Sequence, residues 1–126
     1  MNPRSKLTAF ERDEVLRLDM LLAADTIRSY LRGITRTKFT GGRGQWMVRD
    51  AVLRQLGVFG EAAAGFSGMA RHQYSDIPWN AVVRQRQYMN FNVDLDEAWD
   101  AAARTVPEYA RMLRSRPLKN KRRQKK

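Results

Sequence analysis

Apolar residues recur every three or four positions along much of this chain, which is the spacing that gives a helix one apolar face. The first such segment extends from about residue 8 to residue 32, and Gly33 follows it as a stop signal. The opposite face mixes acidic and basic residues, as a solvated face does. The pattern predicts a long amphipathic helix whose apolar stripe is Leu16, Met20, Ala23, Ile27 and Tyr30.

A second helix is predicted from about residue 46 to residue 65 or 67. Its apolar stripe is Val48, Val52, Leu56, Phe59, Ala63 and Phe66. Gly57, Gly60 and Gly65 interrupt this segment, and each glycine costs a helix interior about 1 kcal/mol relative to alanine. Because a missing side chain lets another backbone approach closely, we interpret these glycines as contact points for a neighbouring helix.

A third helix is predicted from residue 78 to about residue 90. Asp76 can accept hydrogen bonds from the free amides at a helix start, and Pro78 is tolerated in a first helical turn. The chain then turns near residues 90–92. This short helix contains the segment in which we look for chemistry below.

A fourth helix is predicted to start near Asp94 or Asp96, with Pro107 kinking it rather than ending it. Its stripe is Leu95, Trp99, Ala102, Val106, Tyr109 and Leu113. No segment of strand length alternates between apolar and polar residues. Amphipathic helices joined by short connections favour an all-α fold, an antiparallel bundle of four to five helices with a kinked last helix.

The formal net charge is +11, but its distribution along the chain is uneven. Residues 1–110 contribute +2, whereas the last sixteen residues contribute +9 and contain no acidic residue. We therefore predict one folded domain over residues 1–114 and a basic, disordered tail over residues 115–126. Such a tail either attracts RNA or DNA non-specifically by releasing phosphate counterions, or serves as a solubilising end without a partner.

The composition excludes several kinds of site. Without cysteine and with one histidine, the chain can form neither disulfides nor a thiolate or multi-histidine metal site. The glycine-rich residues 41–44 lack the spacing of a phosphate-binding loop. We therefore expect no metal and no cofactor. No run of eighteen uncharged apolar residues occurs, and the first residues are charged, so we expect a cytoplasmic protein without a membrane segment.

Several local strings resemble one known family. The most specific are Tyr-Ser-Asp-Ile-Pro-Trp at residues 74–79 and Val-Asp-Leu-Asp-Glu-Ala-Trp at residues 93–99. Weaker matches lie at residues 19–22, 27–30, 50–56, 60–63 and 106–107, and at Gly33 and Phe39. Over about residues 19 to 114, the chain resembles the HepT-like members of the HEPN superfamily.

This resemblance implies a small helical bundle of HEPN type that forms a homodimer and cleaves RNA without a metal. Such proteins commonly act as the toxin of a type VII-like toxin–antitoxin system. Their antitoxin is a minimal nucleotidyltransferase, which in some pairs adenylylates a tyrosine of the toxin. We therefore expect an RNA endonuclease with RNA as its substrate and a nucleotidyltransferase as its partner.

The family signature that the resemblance brings is an arginine, a histidine four to six residues later, and a tyrosine two beyond the histidine. Cleavage of RNA through its own 2′-hydroxyl needs a group that exchanges protons near neutral pH, and histidine does so. Arginine supplies a permanently charged, planar fork for the charge that develops on phosphorus. These two residue types therefore carry the chemistry of the motif.

The segment after Trp79 lacks the histidine and is about three residues shorter than the family pattern. Counting forward from Trp79 places the motif arginine at Arg86 and the histidine position at Phe91. Counting backward from residue 93 places the histidine position at Tyr88 and the arginine position beside Arg84. The chain is then a degenerate member, a deleted variant of an active toxin, or a sequence that lost its motif residues.

The candidate catalytic residues are therefore Arg86, Arg84 and Tyr88. Two arginines on a helix are also typical of an ordinary solvated face. Tyr88, with an ordinary pKa of about 10, is a poor proton shuttle at neutral pH unless it is strongly activated. The alternative function is a catalytically inactive dimeric module that binds a nucleotidyltransferase, RNA or both.

Two ionisable residues outside the motif, His72 and Glu61, can be interpreted as structural or solvent-exposed residues as well as functional ones. His72 precedes the matched block, and we interpret it as an exposed connector histidine. Glu61 interrupts an apolar helix face, and it either orders an arginine of the site or forms a structural ion pair. We assign Trp46, Trp79 and Trp99 to the core or to a dimer interface rather than to a base-stacking platform.

Overall fold

The computed structural model of the protein describes residues 6–41, 45–90 and 93–120. These residues form helices and connecting loops without a strand, so the predicted all-α bundle is confirmed. The elements are α1 (Ala9–Tyr30), α2 (Arg36–Gly41), α3 (Trp46–Gly65), α4 (Gly68–Gln73), α5 (Trp79–Val83), a 3-10 helix (Arg84–Met89), α6 (Leu95–Asp100), a π-helical segment (Ala101–Thr105) and α7 (Val106–Ser115).

α1 begins with a capping box and ends as its sequence predicts. The Thr8 hydroxyl accepts a hydrogen bond from the Glu11 backbone N–H at 3.0 Å, and the Glu11 carboxylate accepts one from the Thr8 N–H at 3.0 Å. Gly33 follows the helix with a φ of +76°, in the left-handed region that favours glycine. The predicted first helix and its stop signal are confirmed.

The core lies where α1 and α3 pack against each other. Leu16, near the start of α1, contacts Gly65 at the end of α3, so the two helices run antiparallel. α3 also packs against α5 and the 3-10 helix, while α7 covers α1 and α2 contacts α6. The fully buried large side chains are Met20, Ile27, Phe39, Val52, Leu56, Phe59, Tyr74, Val82, Val106 and Leu113. Most of the predicted apolar stripes therefore face this core.

Gly60 explains how the 3-10 helix comes so close to α3. A Cβ at this position would lie 2.8 Å from the Arg86 backbone nitrogen and 3.0 Å from the Val82 carbonyl oxygen. Gly57, one turn earlier, lies against the Met89 side chain. The interpretation of these glycines as contact points is confirmed, and at Gly60 the contact is with backbone atoms.

The third helix does not continue to residue 90 as an α-helix. α5 ends at Val83 and the chain proceeds as a 3-10 helix to Met89. Pro78 itself occupies the N-cap, and Asp76 does not cap the helix; its carboxylate lies 3.7 Å from the Arg116 guanidinium instead. Arg86, whose backbone nitrogen packs on Gly60, lies in this 3-10 helix.

Two short helices, α2 and α4, were not predicted. α4 starts at a cap that depends on a distant residue: the Ser67 hydroxyl and backbone N–H donate to the buried Asp13 carboxylate on α1, at 2.6 and 2.9 Å. The Ser67 hydroxyl in turn accepts from the Ala70 backbone N–H at 3.1 Å. Six-residue helices of this kind are stabilised by tertiary contacts rather than by their own sequence pattern.

The kink predicted at Pro107 takes the form of the π-helical segment that precedes α7. Pro107 has no backbone N–H, and its ring would clash with the carbonyl one turn earlier, so the preceding turn departs from α geometry. The predicted fourth helix begins with α6, and its start near Asp94 was predicted correctly. The Asp94 carboxylate accepts from the Asp96 and Glu97 backbone N–H groups at 3.0 and 3.1 Å.

The beginning of the predicted tail is packed on the domain. The Tyr74 hydroxyl donates to the Arg116 carbonyl at 2.6 Å, and Gln73 exchanges two hydrogen bonds of 2.8 Å with the Lys119 backbone. Leu118 is buried. The prediction of disorder is therefore wrong for residues 116–120. Residues 121–126 lie outside the described residues, as do residues 42–44 of the glycine-rich loop and residues 91–92 of the predicted turn.

Within the part of the chain that the structure describes, no helix combines the length and apolar character needed to cross a lipid bilayer.

Candidate functional site

The three candidate catalytic residues lie on one 3-10 helix, whose geometry points their side chains in different directions. A 3-10 helix has three residues per turn, so side chains at i and i+3 point the same way. Arg84 and Gln87 share one exposed side, and Gln85 and Tyr88 share a buried side. Arg86 shares the third side with Met89, and this side lies beside α3. Arg86 therefore lies on a different side of the segment from Arg84 and Tyr88, which line one cavity.

Arg86 is held against α3. Its backbone nitrogen packs on Gly60, and its guanidinium lies 3.8 Å from the Glu61 carboxylate. Both side chains are about half exposed or more, so this ion pair adds little stability. The structure thus pairs Glu61 with a candidate site arginine, and its ordering of that arginine stays a prediction.

Arg84 borders a cavity of about 240 Å³ between the 3-10 helix and the π-helical region. Tyr88 lines the same cavity, and the carboxylates of Glu97 and Asp100 line its other side. Asp100 is also 3.6 Å from the Arg36 guanidinium. Arg84 therefore faces acidic neighbours, which oppose the approach of a phosphate more than the single Glu61 beside Arg86 does.

Tyr88 is buried, with 5% of its surface exposed. Burial, together with the negative charge of the Glu97 carboxylate, raises the pKa of Tyr88 to about 12. A proton shuttle at neutral pH would need this pKa to be lowered instead. Among the candidates, Tyr88 is the one whose surroundings argue against a catalytic role.

The raised pKa of Tyr88 predicts a specific pH dependence of stability. Because the pKa in the folded state is about 12 and that in the unfolded chain is about 10, the fold favours the neutral phenol. This contribution is complete below pH 10 and is lost as the pH rises from 10 to 12. The free energy of unfolding, measured from pH 8 to 12, should fall more steeply for the wild type than for Tyr88→Phe. Parallel curves would contradict the prediction, since Lys and the other tyrosines titrate in both proteins.

The remaining residues singled out from the sequence have structural roles or lie apart from the site. His72 is exposed on α4, as predicted for a connector histidine. Trp79 is buried and donates from Nε1 to the Arg71 and Tyr74 carbonyls at 3.1 Å. Trp99 packs on the Phe39 ring with centroids 5.5 Å apart. Trp46 is 56% exposed, so its assignment to the core is wrong and its role as a dimer anchor stays a prediction.

Nothing in the sequence indicated that two further side chains, Gln85 and Glu97, line the cavity beside Arg84. Gln85 is buried, and its Oε1 has no hydrogen-bond partner among the residues described. Glu97 comes from α6 and reaches Tyr88 only through the tertiary fold. Phe91, the other position considered for the motif histidine, lies outside the described residues. In the same described ranges, no group of three or more His, Asp or Glu side chains is arranged to hold a metal ion.

Similarity to known proteins identifies the family. The family model named Ribonuclease HepT-like matches residues 20–116, which is more than half of the chain. The chain belongs to the HepT-like ribonuclease family. The match includes α3, the 3-10 helix with its two arginines, and the π-helical region. The resemblance inferred from the local strings is thereby confirmed, and membership of this family indicates a ribonuclease-type function.

Two curated relatives of this HepT-like chain come from Methanocaldococcus jannaschii. One, named Gamma-glutamylcyclotransferase and putative RNase MJ0434, is 26% identical over 92 residues, which cover 71% of this chain and 40% of the relative. The other, named Putative RNase MJ1380, is 26% identical over 93 residues, covering 71% of this chain and 83% of the relative. The chain thus spans well under half of the first relative's length. No solved structure gives a significant match.

Proposed function

We propose that this HepT-like chain is a metal-independent RNA endonuclease that acts in the cytoplasm as the toxin of a type VII-like toxin–antitoxin pair. The observation that carries the proposal is the position of Arg86, whose backbone packs on Gly60 and whose exposed guanidinium lies 3.8 Å from the Glu61 carboxylate. Two family relatives with RNase in their names also support action on RNA.

In this proposal Arg86 contacts the scissile phosphate. Its planar guanidinium stabilises the negative charge that develops as the 2′-hydroxyl attacks phosphorus and the bond from phosphorus to the 5′ oxygen breaks. Water takes the 2′ proton and protonates the leaving 5′ oxygen, so the products are a 2′,3′-cyclic phosphate and a 5′-hydroxyl. The described part of the segment offers no group that exchanges protons near neutral pH, because Tyr88 has a pKa of about 12. General acid–base catalysis typically contributes about 10²- to 10⁴-fold, so we expect cleavage that is slower by about this factor than with a motif histidine.

The proposed partners are a second copy of the chain and a minimal nucleotidyltransferase antitoxin. Exposed apolar side chains on α1 and at the start of α3 support an interaction surface: Leu18, Leu22, Trp46 and Met47 are each more than half exposed. Large exposed apolar residues of this kind commonly mark protein–protein contacts. Sedimentation of the purified chain would distinguish a dimer from a monomer.

The function is tested by incubating the protein with end-labelled RNA in the presence of a chelator. We expect slow cleavage that produces 2′,3′-cyclic phosphate ends, because the 2′-hydroxyl is the nucleophile. An RNA of the same sequence with 2′-O-methyl groups should remain intact. Cleavage of the 2′-O-methyl RNA, or cleavage that disappears in chelator, would contradict the proposal.

A second candidate function is a catalytically inactive dimeric module that binds the nucleotidyltransferase, RNA or both. The burial of Tyr88 and its raised pKa of about 12 favour it, because they remove the remaining proton-transfer candidate of the 3-10 helix. This candidate predicts no cleavage of any RNA together with tight binding to a nucleotidyltransferase encoded in the neighbouring reading frame.

Truncation after Asn120 tests the contribution of the basic C-terminus. It removes five positive charges and retains the packed residues 116–120. RNA affinity should fall, and the slope of log K against log salt should become shallower by about 0.7 for each phosphate that the protein no longer neutralises. A full-length variant with glutamine at those five positions should behave like the truncation. Unchanged affinity and slope would exclude the tail from RNA binding.

A further inference from the structure

A second cavity, of about 430 Å³, opens on the far side of the π-helical region. We call it the Trp99 groove. It lies between the end of α1 and the turn that precedes α7, apart from the 3-10 helix. Its lining residues are Arg28, Leu31, Arg32, Trp99, Ala102, Ala103 and Pro107.

The charge of the Trp99 groove is positive and unneutralised. Arg28 and Arg32 are exposed, and neither guanidinium has a hydrogen-bond or ion-pair partner in residues 6–41, 45–90 and 93–120. Among these residues, no carboxylate lines the groove. The nearby acidic residues are engaged elsewhere: Asp25 pairs with Arg114 at 2.9 Å, and Asp96 and Asp100 pair with Arg36 at 3.2 and 3.6 Å.

The wall of the groove is an aromatic ring in a fixed position. Trp99 is partly buried, and its contact with Phe39 holds the indole from within the core. Nucleobases stack on such rings whatever their sequence, because every base has a flat π face. An aromatic side chain held in place beside two exposed guanidinium groups is the combination that single-stranded nucleic acid recognises.

The π-helical segment leaves room beside the indole. Ala102 and Ala103 bring only methyl groups to the groove, and Pro107 brings a ring without a backbone N–H. Irregular π turns inside helices occur frequently at functional sites. The proline that imposes this irregularity therefore also shapes the open space next to Trp99.

We propose that the Trp99 groove binds single-stranded RNA, with one base stacked on Trp99 and the flanking phosphates on Arg28 and Arg32. The inference rests on the proposed action on RNA and adds a binding site to it, separate from Arg86. An acidic peptide would satisfy the two guanidinium groups but would leave the indole without a stacking partner. Charge and aromatic character together favour RNA.

The test measures binding apart from cleavage. A fluorescein-labelled single-stranded 2′-O-methyl oligoribonucleotide cannot be cleaved through its 2′ position, so fluorescence anisotropy reports affinity alone. Arg28→Gln/Arg32→Gln should raise Kd by about tenfold or more and reduce the slope of log K against log salt by about 1.4, the value for two phosphate contacts with a single strand. The control Lys6→Gln/Arg12→Gln removes the same charge at the other end of α1.

The stacking contact is tested at Trp99. Trp99→Phe keeps an aromatic face and should bind within about threefold of the wild type, whereas Trp99→Leu should bind about tenfold more weakly, as expected for the removal of one stacked base. Thermal unfolding followed by circular dichroism identifies variants that fail to fold. If Trp99→Leu fails to fold, the variant Arg28→Gln/Arg32→Gln still tests the groove, because both arginines are exposed.

The outcomes separate the groove from the function as a whole. If the wild type binds RNA and the Arg28/Arg32 and Lys6/Arg12 variants have the same Kd and salt slope, the groove is not the RNA site, although RNA cleavage can still hold. If polyglutamate displaces the oligonucleotide from the wild type but not from Arg28→Gln/Arg32→Gln at equal charge concentration, the groove is a peptide site and the proposal is overturned. If the wild type neither binds nor cleaves RNA, both proposals fail.

Discussion

Arg86→Ala is expected to cleave RNA at about one hundredth of the wild-type rate or less. Removing one charged or hydrogen-bonding group that stabilises a developing anion typically costs about 10²- to 10³-fold in rate. Arg86 is also the candidate arginine whose backbone packs directly on α3, at Gly60. Single-turnover cleavage of end-labelled RNA in chelator measures the effect.

The matched control is Arg84→Ala, which removes the same charge from the same 3-10 helix. Because Arg84 faces the carboxylates of Glu97 and Asp100, we expect its removal to lower the rate less than about tenfold. Glu61→Gln should have an intermediate effect, since it frees the Arg86 guanidinium without removing it. A large decrease in Arg84→Ala with a near-normal Arg86→Ala would show that the backward register of the motif is the correct one.

Gly60→Ala is expected to destabilise the protein although alanine is the better helix former. The gain in helix propensity is about 1 kcal/mol, but the new methyl group would lie 2.8 Å from the Arg86 nitrogen and 3.0 Å from the Val82 oxygen. Backbone atoms cannot rotate away, so overpacking should cost about 3 kcal/mol and leave a net destabilisation of about 2 kcal/mol. The midpoint of thermal unfolding should fall by roughly 8 °C, and cleavage should fall with it because Arg86 moves.

Three further glycine variants make the test specific to this contact. Gly68→Ala places its methyl group in open space on α4 and should be neutral or slightly stabilising. The atoms nearest to the new methyl group of Gly57→Ala belong to the half-exposed Met89 side chain, which can move, so this variant should cost less stability than Gly60→Ala. Combining Gly57→Ala with Met89→Ala should restore most of that stability. If Gly60→Ala is as stable as Gly68→Ala, the backbone contact does not limit the packing of this segment.

Much of the fold was predictable because its signals are local. The capping box at Thr8, the positive φ at Gly33 and the cap at Asp94 each depend on residues within one turn of the chain. The stripes of α1 and α3 depend on a periodicity that any neighbouring apolar surface satisfies. The glycines of α3 indicated a close contact, but the sequence did not say which backbone would fill it.

The short helices and the C-terminal segment were not predictable on the same basis. α4 begins where Ser67 bonds to Asp13, 54 residues earlier, and residues 116–120 are held by Gln73 and Tyr74, more than 40 residues earlier. Such contacts form only when distant elements have already come together. A basic composition alone therefore suggested a disordered tail from residue 115, where residues 116–120 are packed on the domain.

The periodicity of the sequence was enough to predict a helical bundle, and the resemblance of its local strings pointed to the HepT-like family, with a motif segment that carries two arginines and no histidine. The surroundings of those motif residues came only from the packed fold. Packing on Gly60 accompanies a 3-10 helix that separates Arg84 from Arg86, and burial beside Glu97 raises the pKa of Tyr88 to about 12. The sequence specifies the identity of each side chain, but the direction, burial and electrostatic surroundings of these side chains depend on neighbours that are remote in sequence.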